Sequence, residues 1–133
     1  MDAAPDILLI DDSAPEGQVL QMLAEGAGLP NRVVHLSSGS AALDYLNNEQ
    51  RDFPGLALLD INMPGMGGLE TLAAIRASGT PRVASLPVVV LSTSGAASDR
   101  EAAARLNVLD YVVKAATMSE YRDFVARLPE YLS

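Results

Sequence analysis

Five short apolar runs alternate along this chain with segments of helical spacing. They are ILLI at 7–10, VVHL at 33–36, LALL at 56–59, VVVL at 88–91 and the weaker YVV at 111–113. Each is bounded by turn or polar residues, and a continuous apolar run of this length reads as a strand buried on both faces. Between the runs, Leu20, Leu23, Ala24 and Ala27 line one face of a first helix. Leu43 and Leu46 serve a second, Leu69, Leu72 and Ile75 a third, and Tyr121, Phe124, Val125 and Leu128 the last. Strict alternation of strand and helix predicts parallel strands, right-handed crossovers and helices on both sides of one sheet. The expected fold is α/β, a single-domain, doubly wound, five-stranded parallel sheet with five helices of the flavodoxin-like type.

Helix boundaries are marked by local chemistry. Ser13-x-x-Glu16 reads as a capping box with Pro15 in the first turn, and Ser98-x-x-Glu101 and Thr117-x-x-Glu120 repeat the pattern before the fourth and fifth helices. Gly26, Gly28 and Pro30 stop the first helix, and Gly79-Thr80-Pro81 stops the third. Residues 77–86 are predicted as a solvent loop. The 133 residues suit one domain, with the regular pattern over about 6–132 and no output domain expected beside it.

Composition removes several function classes. There is no cysteine, so thiolate metal sites, disulfides and cysteine nucleophiles are excluded, and a single His35 excludes a multi-histidine site. The start lacks the basic region of a signal peptide, and no stretch has the length of a membrane span. Net charge is −8 and Lys114 is the only lysine, which argues against nucleic acid as a partner. A soluble cytoplasmic protein is the expectation.

The chemistry lies at the strand ends. Asp11 and Asp12 follow the first strand, Asp60 the third, Ser92 and Thr93 the fourth, and Lys114 the fifth. In an open parallel sheet these are all carboxyl-terminal ends, where such folds place their ligands. Three neighbouring carboxylates repel one another unless a counter-charge is supplied. All-oxygen ligands favour Mg²⁺, with the Lys114 ammonium opposite it and the Ser92 hydroxyl donating to an anion held between them. A cation, a lysine and a hydroxyl around one carboxylate describe a phosphoryl-transfer site. Each residue also has a plainer reading: helix caps for Asp11 and Asp12, a turn at Asp60, a strand-end hydroxyl at Ser92, a solvated lysine at Lys114. Together the plain readings require independent accidents at matching strand ends.

LLIDDS at 8–13, LLDINMPGMGG at 58–68, VVVLSTS at 88–94 and YVVK at 111–114 resemble the receiver domain of response regulators. The resemblance implies that Asp60 accepts a phosphoryl group from a sensor histidine kinase. It implies Mg²⁺ held by Asp60, by Asp12 directly, by Asp11 through water and by the backbone carbonyl of Asn62. Ser92 would be the switch hydroxyl, Lys114 the phosphate contact, and Tyr111 the aromatic that turns inward on activation, repacking the face of the fourth helix, fifth strand and fifth helix. Asn62 and Ser94 stand where receivers screen the attacking water, and both are small and polar, which implies a phosphoryl lifetime of minutes. Two departures stand out. Ala115 follows Lys114 where the family usually has a proline, which predicts another path for that loop. Asn107 stands near the place of an Ala-Gly pair.

Leu86-Pro87 at the end of a long pre-strand segment, the LSTS tetrad at 91–94 and the expected absence of an output domain resemble the small regulators paired with bacterial phytochrome kinases. Such regulators often pair through the fourth-helix, fifth-strand, fifth-helix face. Here Val108, Leu109 and Leu132 add apolar groups to it, so a homodimer is a candidate state. The downstream protein is not named by the sequence. Two other functions are open: a receiver-like adaptor that works without phosphorylation, and a flavodoxin-like cofactor binder. The acidic DDSAPEG segment opposes the second by repelling a phosphate. An aspartyl-phosphate phosphatase is opposed by the lack of a second aspartate two residues beyond Asp60.

Overall fold

A computed structural model describes residues 4–63, 65–93 and 95–132. The elements run β1 (Ile7–Ile10), α1 (Ala14–Gly26), β2 (Val33–Leu36), α2 (Gly39–Leu46), β3 (Leu56–Asp60), α3 (Gly68–Arg76), α4 (Pro81–Ala84), β4 (Val88–Ser92), α5 (Ala97–Arg105), β5 (Asp110–Val113) and α6 (Met118–Leu132). The five strands form one parallel sheet in the order β2-β1-β3-β4-β5. β1, β3 and β4 are buried along their whole length, which is why their sequences are continuously apolar rather than alternating.

Side chains alternate between two cores. Leu8, Ile10, Leu59, Val88 and Val90 pack with Leu46 of α2, Leu72 and Ile75 of α3, Val83 of α4 and Ala103 of α5. Ile7, Leu9, Leu58, Val89 and Leu91 pack on the other face with Leu20 and Ala24 of α1 and Phe124, Val125 and Leu128 of α6. Period-two alternation along each strand thus feeds two aliphatic layers, and the sheet is doubly wound as expected.

Several local expectations need correction. The described residues hold six helices, not five, because the predicted loop at 77–86 contains α4. Pro81 ends nothing there: it opens α4, its missing N–H harmless at the first helical position. Val83 and Leu86 are buried against the sheet. The predicted fourth and fifth helices are accordingly α5 and α6. Ala27 is exposed and caps the C-terminus of α1 instead of lining its buried face. Ser98 lies inside α5, whose N-cap is Ala96 without a side-chain bond, so the middle capping box is absent. The other two caps form: Ser13 Oγ accepts from Glu16 N–H and Thr117 Oγ1 from Glu120 N–H. Gly28 has a φ of 73° just beyond α1, and Asn107 a φ of 58° just beyond α5. Asn107 therefore fills a left-handed position that favours glycine, a conformation asparagine tolerates better than most residues.

Candidate functional site

The parallel sheet brings the ends of β1, β3, β4 and β5 to one edge. β3 and β4 each run one residue beyond their apolar runs, so Asp60 and Ser92 are themselves strand residues, both buried. Asp11 follows β1 directly and is also buried, whereas the Asp12 beside it is exposed. Lys114 follows β5, its N–H donating to the Ser92 carbonyl at 2.7 Å, which extends the ladder by one bond.

The side chains converge on the Lys114 ammonium. Its Nζ lies 3.1 Å from Asp11 Oδ2, 3.2 Å from Asp60 Oδ2 and 2.7 Å from Glu16 Oε2. Carboxylate oxygens of Asp11, Asp12 and Asp60 all lie within 4.8 Å of one another. Three hard oxygen donors at that spacing fit a divalent cation, with the exposed Asp12 on the open side of the cluster. Backbone donors hold the two buried acids: Ser13 N–H donates to Asp11 Oδ1 at 2.8 Å, and Asn62 N–H to Asp60 Oδ1 at 2.9 Å. Gly68 packs so closely on the Asp60 carbonyl and Ile61 Cα that no Cβ fits there, which accounts for a glycine in the first turn of α3.

Burial raises the Asp11 carboxyl above the usual carboxylate range, as does its bond with Glu16, against the lowering pull of Ser13 N–H and Lys114. For Lys114 burial works against the charge, but bonds to Glu16 and Asp11 and the charges of Asp11 and Asp60 outweigh it and raise its pKa. Glu16 is lowered: burial opposes ionisation, yet hydrogen bonds with Asp11 and Lys114 prevail.

The structure brings some of the sequence-predicted residues together and gives others different neighbours. Asp11, Asp12, Asp60 and Lys114 gather. Lys114 faces the carboxylates although Ala115 follows it, and no described peptide bond is cis. The Ser92 hydroxyl donates at 3.1 Å to Asn62 Oδ1, which also accepts from Thr93 N–H and Thr93 Oγ1. Asn62 thus ties the loop after β3 to the end of β4 through its amide, beyond any part for its backbone carbonyl. Tyr111 pairs with Val90 in the sheet and sits half-buried against the α5 side. Ser94 and Pro64 lie outside the described residues, so the water-screening position at Ser94 does too.

Sequence reasoning missed two contributors. Glu16 is read there as the second half of a capping box. Its carboxylate instead bonds Lys114, and the Ser13 N–H it would have taken goes to Asp11. The four-residue step from Asp12 was the available signal. His35 on β2 donates Nε2–H to the Asp11 carbonyl at 2.6 Å, with its ring against Gly17. It fixes the turn that carries both aspartates.

The model of the response regulator receiver domain matches residues 7–126. The chain is 33% identical over 128 residues to the probable methanogenesis regulatory protein FilR2 of Methanothrix harundinacea, covering 94% of this chain and 81% of that protein. It is 32% identical over 118 residues to the response regulator Rcp1 of Synechocystis, covering 86% and 79%. Among solved structures, the phosphorylated cyanobacterial phytochrome response regulator RcpA superposes with a TM-score of 0.86 at 31% identity, covering 98% of this chain and 94% of that one. The Mn²⁺-bound form of Rcp1 gives 0.84 at 30% identity, covering 97% and 95%. These similarities disfavour a flavodoxin-like cofactor binder. No described helix is long and apolar enough to cross a membrane.

Proposed function

This chain belongs to the response regulator receiver domain family, and from that premise we propose that Asp60 is its phosphoacceptor, loaded by a sensor histidine kinase. Members of the family are signalling phosphoacceptors rather than enzymes acting on a separate substrate. The observation that carries the reading is the buried Asp60 carboxylate at the end of central β3, with Lys114 Nζ at 3.2 Å and Asp11 and Asp12 in the same oxygen cluster. A carboxylate oxygen of Asp60 attacks phosphorus, the P–N bond to the donor imidazole breaks, and the imidazole leaves with the bonding pair and takes up a proton. Asn62 N–H and Lys114 orient the nucleophile before the attack. Asp11, Asp12, Asp60 and the Asn62 carbonyl would hold Mg²⁺, which when bound neutralises the clustered carboxylates and the transferring oxygens.

The acyl phosphate adds nearly two negative charges beside Lys114. Ser92 leaves Asn62 to donate to it, and Tyr111 then turns toward the space vacated by the loop, repacking α5, β5 and α6. Water returns the domain to rest within minutes. The signal passes by protein contact or by phosphorelay. Similarity to Rcp1 and RcpA, the latter described as a phytochrome response regulator, supports a phytochrome kinase as the donor. Exposed Leu109 and Val113 on and beside the edge strand β5 support pairing with a second copy there. A single receiver domain over about 6–132 suffices for all these steps.

The test is incubation with acetyl phosphate and Mg²⁺, read by intact mass. The wild type gains one phosphoryl group, and Asp60→Asn, nearly isosteric but unable to form the acyl phosphate, gains none. Equal labelling of both refutes the assignment. An unlabelled wild type favours an adaptor that works without phosphorylation.

A further inference from the structure

An ammonium group has three N–H donors. In this site Lys114 donates to the carboxylates of Asp11 and Glu16 and forms an ion pair with Asp60 Oδ2 at 3.2 Å, and the Glu16 contact is the shortest at 2.7 Å. A phosphoryl group arriving on Asp60 brings new acceptor oxygens and nearly two negative charges to the same ammonium, where they compete with its present carboxylate partners. The three acceptors are not equally free to leave. The Asp11 and Asp60 side chains are 1% and 3% exposed, against 33% for Glu16. Asp11 and Asp60 are further pinned by the N–H groups of Ser13 and Asn62. Glu16 stands in the first turn of α1, where a released carboxylate turns into water yet stays at the favourable positive end of the helix.

We propose, resting on the phosphoacceptor reading above, that Glu16 is a positioning residue that holds the place of the phosphoryl group. Its carboxylate occupies the Lys114 donor at rest and is displaced by the phosphoryl oxygen on loading. The exchange has two consequences. At rest Lys114 is kept aimed at the reacting edge without collapsing wholly onto Asp60. On approach, the phosphodonor meets one more negative charge and an occupied ammonium, so Glu16 sets the threshold for loading.

The experiment compares wild type, Glu16→Gln and Glu16→Asp in the full chain. The acetyl phosphate concentration giving half-maximal labelling is separated from the maximal labelling rate, both by intact mass. Removing one charge at this distance in a partly solvated site lowers the half-saturating concentration about three- to tenfold for Glu16→Gln, with the maximal rate within about twofold. Glu16→Asp, which keeps the charge on a shorter arm, falls between. Because Lys114 is the only lysine, ¹⁵Nζ-lysine labelling yields a single side-chain ammonium resonance. In Glu16→Gln without phosphodonor that resonance shifts, and on adding beryllofluoride it moves less than in the wild type. An unchanged half-saturating concentration, or an ammonium resonance indifferent to Glu16→Gln, overturns the exchange while labelling of Asp60 stands. A wild type that takes no label overturns the phosphoacceptor reading and the exchange with it.

Discussion

The Arg100 guanidinium lies over the Tyr111 ring, 4.7 Å from its centroid, while its Nε–H donates to the Gly95 carbonyl at 3.3 Å. Gly95 stands three residues beyond Ser92, so one exposed side chain on α5 links the loop after β4 to the aromatic on β5. An inward move of that loop pulls on the cation that covers the ring. Arg100→Met keeps most of the stem but removes the charge and the donor. It should cost about 0.5–1 kcal/mol in urea unfolding, the size of an exposed cation–π contact. It should also broaden or split the Tyr111 ring resonances in the unphosphorylated protein. A ring signal unchanged by the substitution would dissociate Arg100 from Tyr111 orientation.

The two adjacent aspartates differ in their surroundings, and their variants should differ accordingly. Asp12 is exposed, whereas Asp11 is buried and bonded to Ser13 N–H and Lys114 Nζ. Asp12→Ala should leave metal-free stability nearly unchanged and abolish most of the thermal stabilisation that Mg²⁺ gives by binding the folded state. Asp11→Ala should lose about 1–3 kcal/mol without any metal, because it strands a backbone donor and one bond of a half-buried ammonium. Melting curves with and without Mg²⁺ separate the two. Equal Mg²⁺ shifts in wild type and both variants would place the cation elsewhere.

Tyr131 near the end of α6 donates its hydroxyl to Asp110 Oδ2 at 2.6 Å, while Asp110 Oδ1 accepts Tyr111 N–H at the start of β5. Burial, then the hydrogen bond and charge of Asp110, push the Tyr131 phenol up to about 12 from 10.0. The folded state thus favours the neutral phenol. That contribution is fully present below about pH 10, where the unfolded phenol is also protonated, and is lost as pH rises through about 12. Tyr131→Phe should be less stable than wild type at pH 8, with the gap narrowing above pH 10. Urea midpoints at pH 8, 10 and 11 check the sign; a gap that widens with pH contradicts it.

Strand positions were legible because burial on both faces makes a strand continuously apolar: ILLI, LALL and VVVL have no polar member. Asp11, Asp60, Ser92 and Lys114 were legible for a topological reason, since parallel strands collect their carboxyl ends wherever their neighbours lie. What the chain did not disclose depends on competition among partners. Ser13 N–H goes to Asp11 rather than to Glu16, whose carboxylate binds Lys114 instead of closing a capping box. Helix α4 was hidden because one turn at Pro81–Ala84 is too short to show a period. Its place is fixed instead by Arg76, whose guanidinium donates to the carbonyls of Ala84, Leu86, Leu106 and Asn107. A single arginine serving four carbonyls, one at the end of α4 and three in the loops after α4 and α5, leaves no periodic trace.

The last prediction concerns pairing through β5. Phe124, Val125 and Leu128 of the last helix's apolar stripe turn inward to the sheet, and Val108 and Leu132, expected to extend this face, pack partly against the two cores. Of those expected, Leu109 remains, 53% exposed, and Val113 at the other end of the edge strand, not expected there, is 45% exposed. The patch is therefore smaller than the sequence suggests, and a two-fold contact built on it draws on polar neighbours such as Arg100 and Asp110 as well. Such an interface should give at most a weak dimer, populated at tens of micromolar and above rather than at nanomolar concentration. Sedimentation of wild type over that range should show a concentration-dependent rise in apparent mass. Leu109→Asp should remain monomeric throughout, since it puts a charge in the exposed apolar patch. If wild type and Leu109→Asp sediment alike as monomers up to hundreds of micromolar, the β5 edge is not a self-association surface.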